Sequence, residues 1–145
     1  MARRQAPKTP PSCLILDSGV VIALGRHDVR ARASLTAAWE AGAEVIVPAV
    51  VVAETVRGDG PRDAPVNRVL NAVGNVAAAT EDRARTAGAL LASAQSSATV
   101  DALVVAEAVR RRGGVVLTGD VADLQRLAQA NPEVIIQPLA ADPRR

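Results

Sequence analysis

Four acidic residues stand where hydrophobic stretches of this chain begin, end or turn. Asp17 closes the apolar run "CLILD". Asp120 follows "VVLT" by two residues. Asp101 lies near the start of "TVDALVVAEA", and Glu54 is set among Val50, Val51, Val52, Ala53 and Val56. Each has a modest structural explanation. Asp17 and Asp120 can cap helices, Asp101 suits the positive end of a helix dipole, and Glu54 can pair with Arg57 one turn on for about 0.2–0.5 kcal/mol. The four taken together ask for more. Carboxylates gathered at one place repel and raise one another's pKa, and a divalent cation removes that conflict. Oxygen donors with no His or Cys nearby select Mg²⁺ or Mn²⁺. Such a site activates water and neutralises the charge that develops on a phosphodiester under attack. The four carboxylates are therefore expected to converge in one metal-sized cleft.

The elements that would place them alternate in type. "CLILD" (13–17), "EVIVP" (44–48), "NVAAAT" (75–80, weak), "VVLT" (115–118) and "EVIIQP" (133–138) read as strands. Between them lie helical patterns: 18–25 ended by Gly25; 28–42 between Asp28 and Gly42; 49–58 after Pro48; "VNRVLNAVG"; 81–95 with acids in its first turn; a helix capped by Thr99; and 120–131. "DGPRDAP" (59–65) reads as a loop. Strand–helix alternation predicts an α/β fold with a mostly parallel, five-stranded sheet and right-handed crossovers. Ligands of such sheets bind beyond the carboxyl ends of the strands. Asp17 and Asp120 belong there. The end at which the Asp101 helix starts is open from sequence. Glu54 is expected to be partly buried or to face a cleft.

Composition narrows the classes. The 145 residues suit one domain, 49% of them are apolar, and there is one Trp with no Phe or Tyr. The core must be aliphatic, as in buried parallel sheets, and aromatic stacking platforms for bases have little to draw on. Net charge is only +2, weak evidence for nucleic acid. The single cysteine, Cys13, excludes an internal disulfide and fits a reducing cytoplasm. The basic, proline-rich residues 1–12 lack an apolar core and are read as a disordered tail rather than a secretory signal. Residues 13–139 form the domain and 140–145 a second tail. No apolar run approaches the roughly 20 residues of a membrane span. His27 is read as a loop residue, and Trp39 and Cys13 as core.

The motifs "LILDSGVVIAL", "VPAVVVAETVRG", "TVDALVVAEA" and "VVLTGDVADLQRLA", in that order, resemble the PIN-domain family. They are most similar to its VapC-type ribonuclease toxins of type II toxin–antitoxin pairs. The resemblance covers residues 13 to 139. It implies a doubly wound fold and a cytoplasmic, Mg²⁺- or Mn²⁺-dependent endoribonuclease with Asp17, Glu54, Asp101 and Asp120 as the metal-binding acids. It further implies that Ser18 and Thr118 position water, metal or phosphate, and that Asp123 accompanies the last motif. Leu124 stands where the family commonly has Phe, a departure that bears on packing. The expected partners are an RNA substrate, a cognate antitoxin protein and a second copy in a homodimer. Arg57, Arg83, Arg85, Arg110, Arg111 and Arg112 are candidates for holding the RNA backbone. The last three also read as a solvated helix end favoured by the dipole.

Other phosphate chemistries fit less well. A haloacid-dehalogenase-like phosphatase needs Asp-x-Asp after its first strand, where this chain has Asp17-Ser18-Gly19. A phosphorelay receiver needs a lysine late in the sheet, and no lysine follows Lys8. A P-loop is absent. The alternative in another class is a catalytically inactive PIN-like module that binds RNA or protein, against which stands the retention of all four acids.

Overall fold

Short aliphatic runs build the centre of the molecule. Residues 13–139 are described by the computed structural model; the tails expected at 1–12 and 140–145 lie outside the described residues. Five strands form one sheet: β1 (Cys13–Leu16), β2 (Glu44–Pro48), β3 (Val76–Ala77), β4 (Val115–Thr118) and β5 (Ile135–Pro138). The order is β3-β2-β1-β4-β5 and every pairing is parallel. All residues of β1 and β4 are buried, as strands covered on both faces should be. The edge strands are wetter, with Val76 and Ile135 exposed.

Among the described residues seven helices connect the strands: α1 (Ser18–Gly25), α2 (Val29–Glu40), α3 (Ala49–Thr55), α4 (Gly60–Val73), α5 (Glu81–Ala94), α6 (Thr99–Arg110) and α7 (Val121–Ala128). From β1 the chain steps outward through β2 to β3, then returns to β4 on the other side of β1. Right-handed crossovers in opposite directions place their helices on opposite faces. The doubly wound expectation is met, and its switch point is the seam between β1 and β4, where such sheets open a crevice.

Small side chains let these layers close. Ala102, Ala106 and Ala108 of α6 are fully buried together with Val104 and Val105. A Cβ on Gly114 would lie 2.4 Å from Cys13 Sγ, so a larger residue there would have to displace the Cys13 side chain where β4 starts beside β1. Cys13 is buried, as expected.

Several local expectations change. Residues 59–65 are not a loop: Asp59 accepts from Arg62 N as the N-cap of α4. Pro61 falls within the first turn, where a missing N–H costs nothing. Helix α3 stops at Thr55 rather than running to 58. Helix α6 has Ala98, not Thr99, at its N-cap and no side-chain cap bond. Trp39 is 46% exposed, not core: α2 buries the Ala31–Leu35–Ala38 stripe, and residue 39 lies about 40° outside the edge of that stripe.

Candidate metal centre

The seam itself sets the first acid. Leu16 pairs with Leu117, and Asp17 N then donates to Leu117 O at 3.1 Å. Asp17 thus continues the ladder by one residue, beyond the carboxyl end of β1. Its side chain is buried and doubly held: Oδ1 accepts from Ser18 N at 2.8 Å and Oδ2 from Thr118 Oγ1 at 2.7 Å. Thr118 is itself fully buried, and its hydroxyl accepts from Asp120 N at 2.9 Å. One hydroxyl therefore fixes the last residue after β1 and the loop after β4.

Asp120 occupies the N-cap position of α7 but makes no capping hydrogen bond. The capping explanation fails for it, and its exposed carboxylate is left for other work. Asp101, in the first turn of α6, is pushed up to about 6 from an ordinary 3.8. Burial is the largest cause, followed by the charges of Asp17, Asp120, Glu54 and Asp123. Helix α6 therefore starts at the same edge of the sheet as Asp17, which sequence left open. Glu54 is exposed rather than half-buried. It forms no ion pair among the described residues; Arg57 Nη1 donates instead to Ala53 O and Val56 O.

Five acids thus share one electrostatic neighbourhood, but they do not form a finished cage. Among the described residues, no three Asp, Glu, His or Cys side chains are arranged to hold an ion as they stand. The donor chemistry fits a hard divalent cation all the same. The available groups are carboxylate and hydroxyl oxygens, and the repulsion that raises Asp101 is what a bound cation would relieve. Ser18 is half-buried next to Asp17.

The arginines lie mostly elsewhere. Arg111 reaches Glu44, the first residue of β2, at 3.1 Å, and Glu107 at 2.6 Å. That places the C-terminal end of α6 at the opposite edge of the sheet, about 15 Å along the helix from Asp101. Buried Glu107 also accepts from Arg83 at 3.1 Å. Arg110 pairs with Asp82 and Arg85 with Glu81. Arg112 is exposed. Arg83, Arg110 and Arg111 are thus tied into a network joining β2, α5 and α6, and are not gathered at the acids.

A groove of about 260 Å³ opens at Glu54, lined by Ile22 from α1, Arg26 just after it, Glu54 and Thr55 from α3, and Arg62 and Val66 from α4. A further acid went unnoticed in the sequence. Asp63 is 2% exposed. It accepts from the backbone N–H groups of Arg57, Gly58 and Asp59 and from Arg62 Nη1. Burial raises its pKa; these four donors outweigh that and hold it below the ordinary carboxylate range. Its signal was hidden inside a segment that reads as a solvated Gly/Pro loop.

The PIN domain family matches residues 14–130. No curated protein matches the sequence. Among solved structures, VapBC2 from Rickettsia felis bound to a promoter DNA fragment aligns with a TM-score of 0.72 at 13% identity, covering 88% of this chain and 99% of that one. A toxin–antitoxin complex from Klebsiella pneumoniae gives 0.64 at 19%, covering 84% and 95%. FitAcB from Neisseria gonorrhoeae gives 0.62 at 19%, covering 85% and 95%.

Proposed function

The chain belongs to the PIN-domain family, and from that premise we propose that it is a metal-dependent endoribonuclease, the VapC-type toxin of a toxin–antitoxin pair. The observation that carries the reading is Asp101, raised to about 6 by burial and by the four acids around it at the switch point. Asp17 caps α1 through Ser18 N, whereas neither Asp101 nor Asp120 makes a capping bond. PIN domains are generally nucleases; RNA as the substrate and Mg²⁺ or Mn²⁺ as the ion are the finer parts of the proposal.

In this reading Asp17, Glu54, Asp101 and Asp120 hold the cation, with Asp123 adding negative charge nearby. Bound there, a divalent ion supplies electrophilic assistance to hydrolysis of a phosphodiester. The protein's own contribution is alignment. Thr118 and Ser18 N aim both oxygens of Asp17, and the Thr118 hydroxyl sets the backbone of Asp120. The half-buried Ser18 beside Asp17 is assigned, in this reading, the orientation of water or a phosphate oxygen.

One of the aligned structures is described as a toxin–antitoxin complex. A cognate antitoxin is the proposed partner here, with a second copy of the chain as dimer mate. The groove between α1, α3 and α4 opens beside Glu54, so a segment lying in it can extend an Arg or Lys to the acids. Among the described residues no single helix is long and apolar enough to cross a membrane. The buried free thiol of Cys13 supports a cytoplasmic setting.

The test is RNA cleavage by the purified chain with Mg²⁺ or Mn²⁺, against EDTA and against Asp101→Asn. Metal-dependent cleavage lost in the variant supports the proposal. RNA binding without cleavage in either metal would replace it with the inactive binding-module reading.

A further inference from the structure

Glu54 stands on the least self-sufficient helix of the site. Helix α3 has seven residues, no side-chain cap at its N-terminus and no basic residue in its last turn. A helix this short does not hold itself together in water. An acid one residue from its C-terminus also opposes the helix dipole. The last turn must therefore be fixed from outside.

What fixes it is the start of α4. After Thr55 the backbone leaves the helix at Val56, with φ −103° and ψ 138°, and turns through Gly58 at φ +78°. Three successive N–H groups then point at one carboxylate. Arg57 N lies 3.0 Å, Gly58 N 2.8 Å and Asp59 N 3.0 Å from Asp63 Oδ2. Arg62 Nη1 joins Asp63 Oδ1 at 3.0 Å to Thr55 O at 3.5 Å. Within α3, Thr55 Oγ1 donates to Val51 O at 2.8 Å. The residue next to Glu54 is thus tied to α4 through Arg62, and the chain that follows it is clamped by Asp63.

We infer that Asp63 is a positioning residue: it fixes the end of α3 and thereby holds Glu54 at the acid cluster. The inference rests on the reading of Glu54 as a metal-site residue. Asp63 is buried and fully engaged with its donors, so it acts through Glu54 and does not hold the ion itself. Neutral or truncated side chains cannot satisfy three amides and a guanidinium together, and residues that orient metal-binding groups typically govern affinity by 10–100-fold.

The experiment is a double-mutant cycle read by Mn²⁺ calorimetry on the full chain, with amide exchange as a metal-independent readout. Asp63→Ala should weaken Mn²⁺ binding about tenfold and speed exchange at Arg57, Gly58 and Asp59. In a Glu54→Gln background the same change should cost less than about twofold, because its route is already removed. If Asp63→Ala does not fold, the isosteric Asp63→Asn carries the comparison. A lower melting temperature with unchanged Mn²⁺ affinity, or an equal loss in both backgrounds, overturns the inference and leaves the metal site standing. Failure of the wild-type chain to bind Mn²⁺ overturns both.

Discussion

Thr118 donates a 2.7 Å hydrogen bond to Asp17 across the β1–β4 seam, between two residues that are both buried and 101 positions apart. The same hydroxyl accepts the Asp120 amide. This places one uncharged group between two acids, the carboxylate of the residue after β1 and the backbone of the residue at the N-cap position of α7. Thr118→Val keeps the shape and removes both bonds. Stability should fall by about 1–3 kcal/mol and Mn²⁺ affinity by about tenfold, while Thr118→Ser should retain most of each. Urea unfolding and calorimetry check the pair of effects. Loss of stability alone would reduce Thr118 to a packing role.

Asp101 should cost the metal-free protein stability when ionised. Its folded pKa, about 6, lies above the ordinary 3.8. The penalty is therefore absent below pH 4, grows as pH rises through the interval, and is complete above about 6. In EDTA, Asp101→Asn should melt higher than wild type at pH 7.5 and equal to it near pH 4. The gain is on the order of 1 kcal/mol once solvent screening is allowed for. The variant should also cleave no RNA. An Asn variant less stable than wild type at pH 7.5 would mark Asp101 as a structural acid.

Metal binding should carry the same titration with opposite consequence. Mn²⁺ needs the ionised carboxylate, so binding competes with protonation of Asp101. Affinity at pH 5 should be about tenfold below that at pH 7, with proton release visible as a buffer-dependent heat near pH 6. A pH-independent affinity across that interval would remove Asp101 from the ligand set.

Arg111→Ala should separate fold from site. It strips one partner from buried Glu107, and a broken buried pair costs roughly 3–5 kcal/mol. The loss should lie toward the low end of that range because Arg83 remains. Mn²⁺ affinity of the folded fraction should not change. A loss of RNA binding at unchanged stability would restore Arg111 as a backbone contact.

Co-expression with a neighbouring antitoxin-sized gene product should rescue growth, yield a stable complex and abolish cleavage. Glu54→Arg at the rim of the groove should weaken that complex at least tenfold in a pull-down titration, because it repels the partner's cation. An unaffected complex would move the partner to another face.

The strands and the place of the first acid were legible in the sequence, because both are local. Runs such as "CLIL" and "VVLT" are best read as buried strands because four largely apolar residues bounded by turn signals are too short for a helix. An acid directly after such a run must emerge at its carboxyl end, as Asp17 does. Strand–helix alternation likewise determined a parallel sheet, since parallel neighbours require crossovers.

Tertiary structure decided everything that depends on which strands are neighbours and which helix end meets which edge. That β1 lies beside β4, joining Thr118 to Asp17, follows from the switch in strand order and has no local signature. The edge at which α6 begins brought Asp101 to the acids and carried Arg111 to the far side, where Glu107 and Glu44 neutralise it. The "DGPRDAP" segment misled because Gly and Pro mark helix starts as well as loops, and only the burial of Asp63 separates the two. Burial and long-range hydrogen bonding are sums over the whole packed chain. They set the pKa of Asp101 and the Thr118–Asp17 bond, and no window of neighbouring residues contains them.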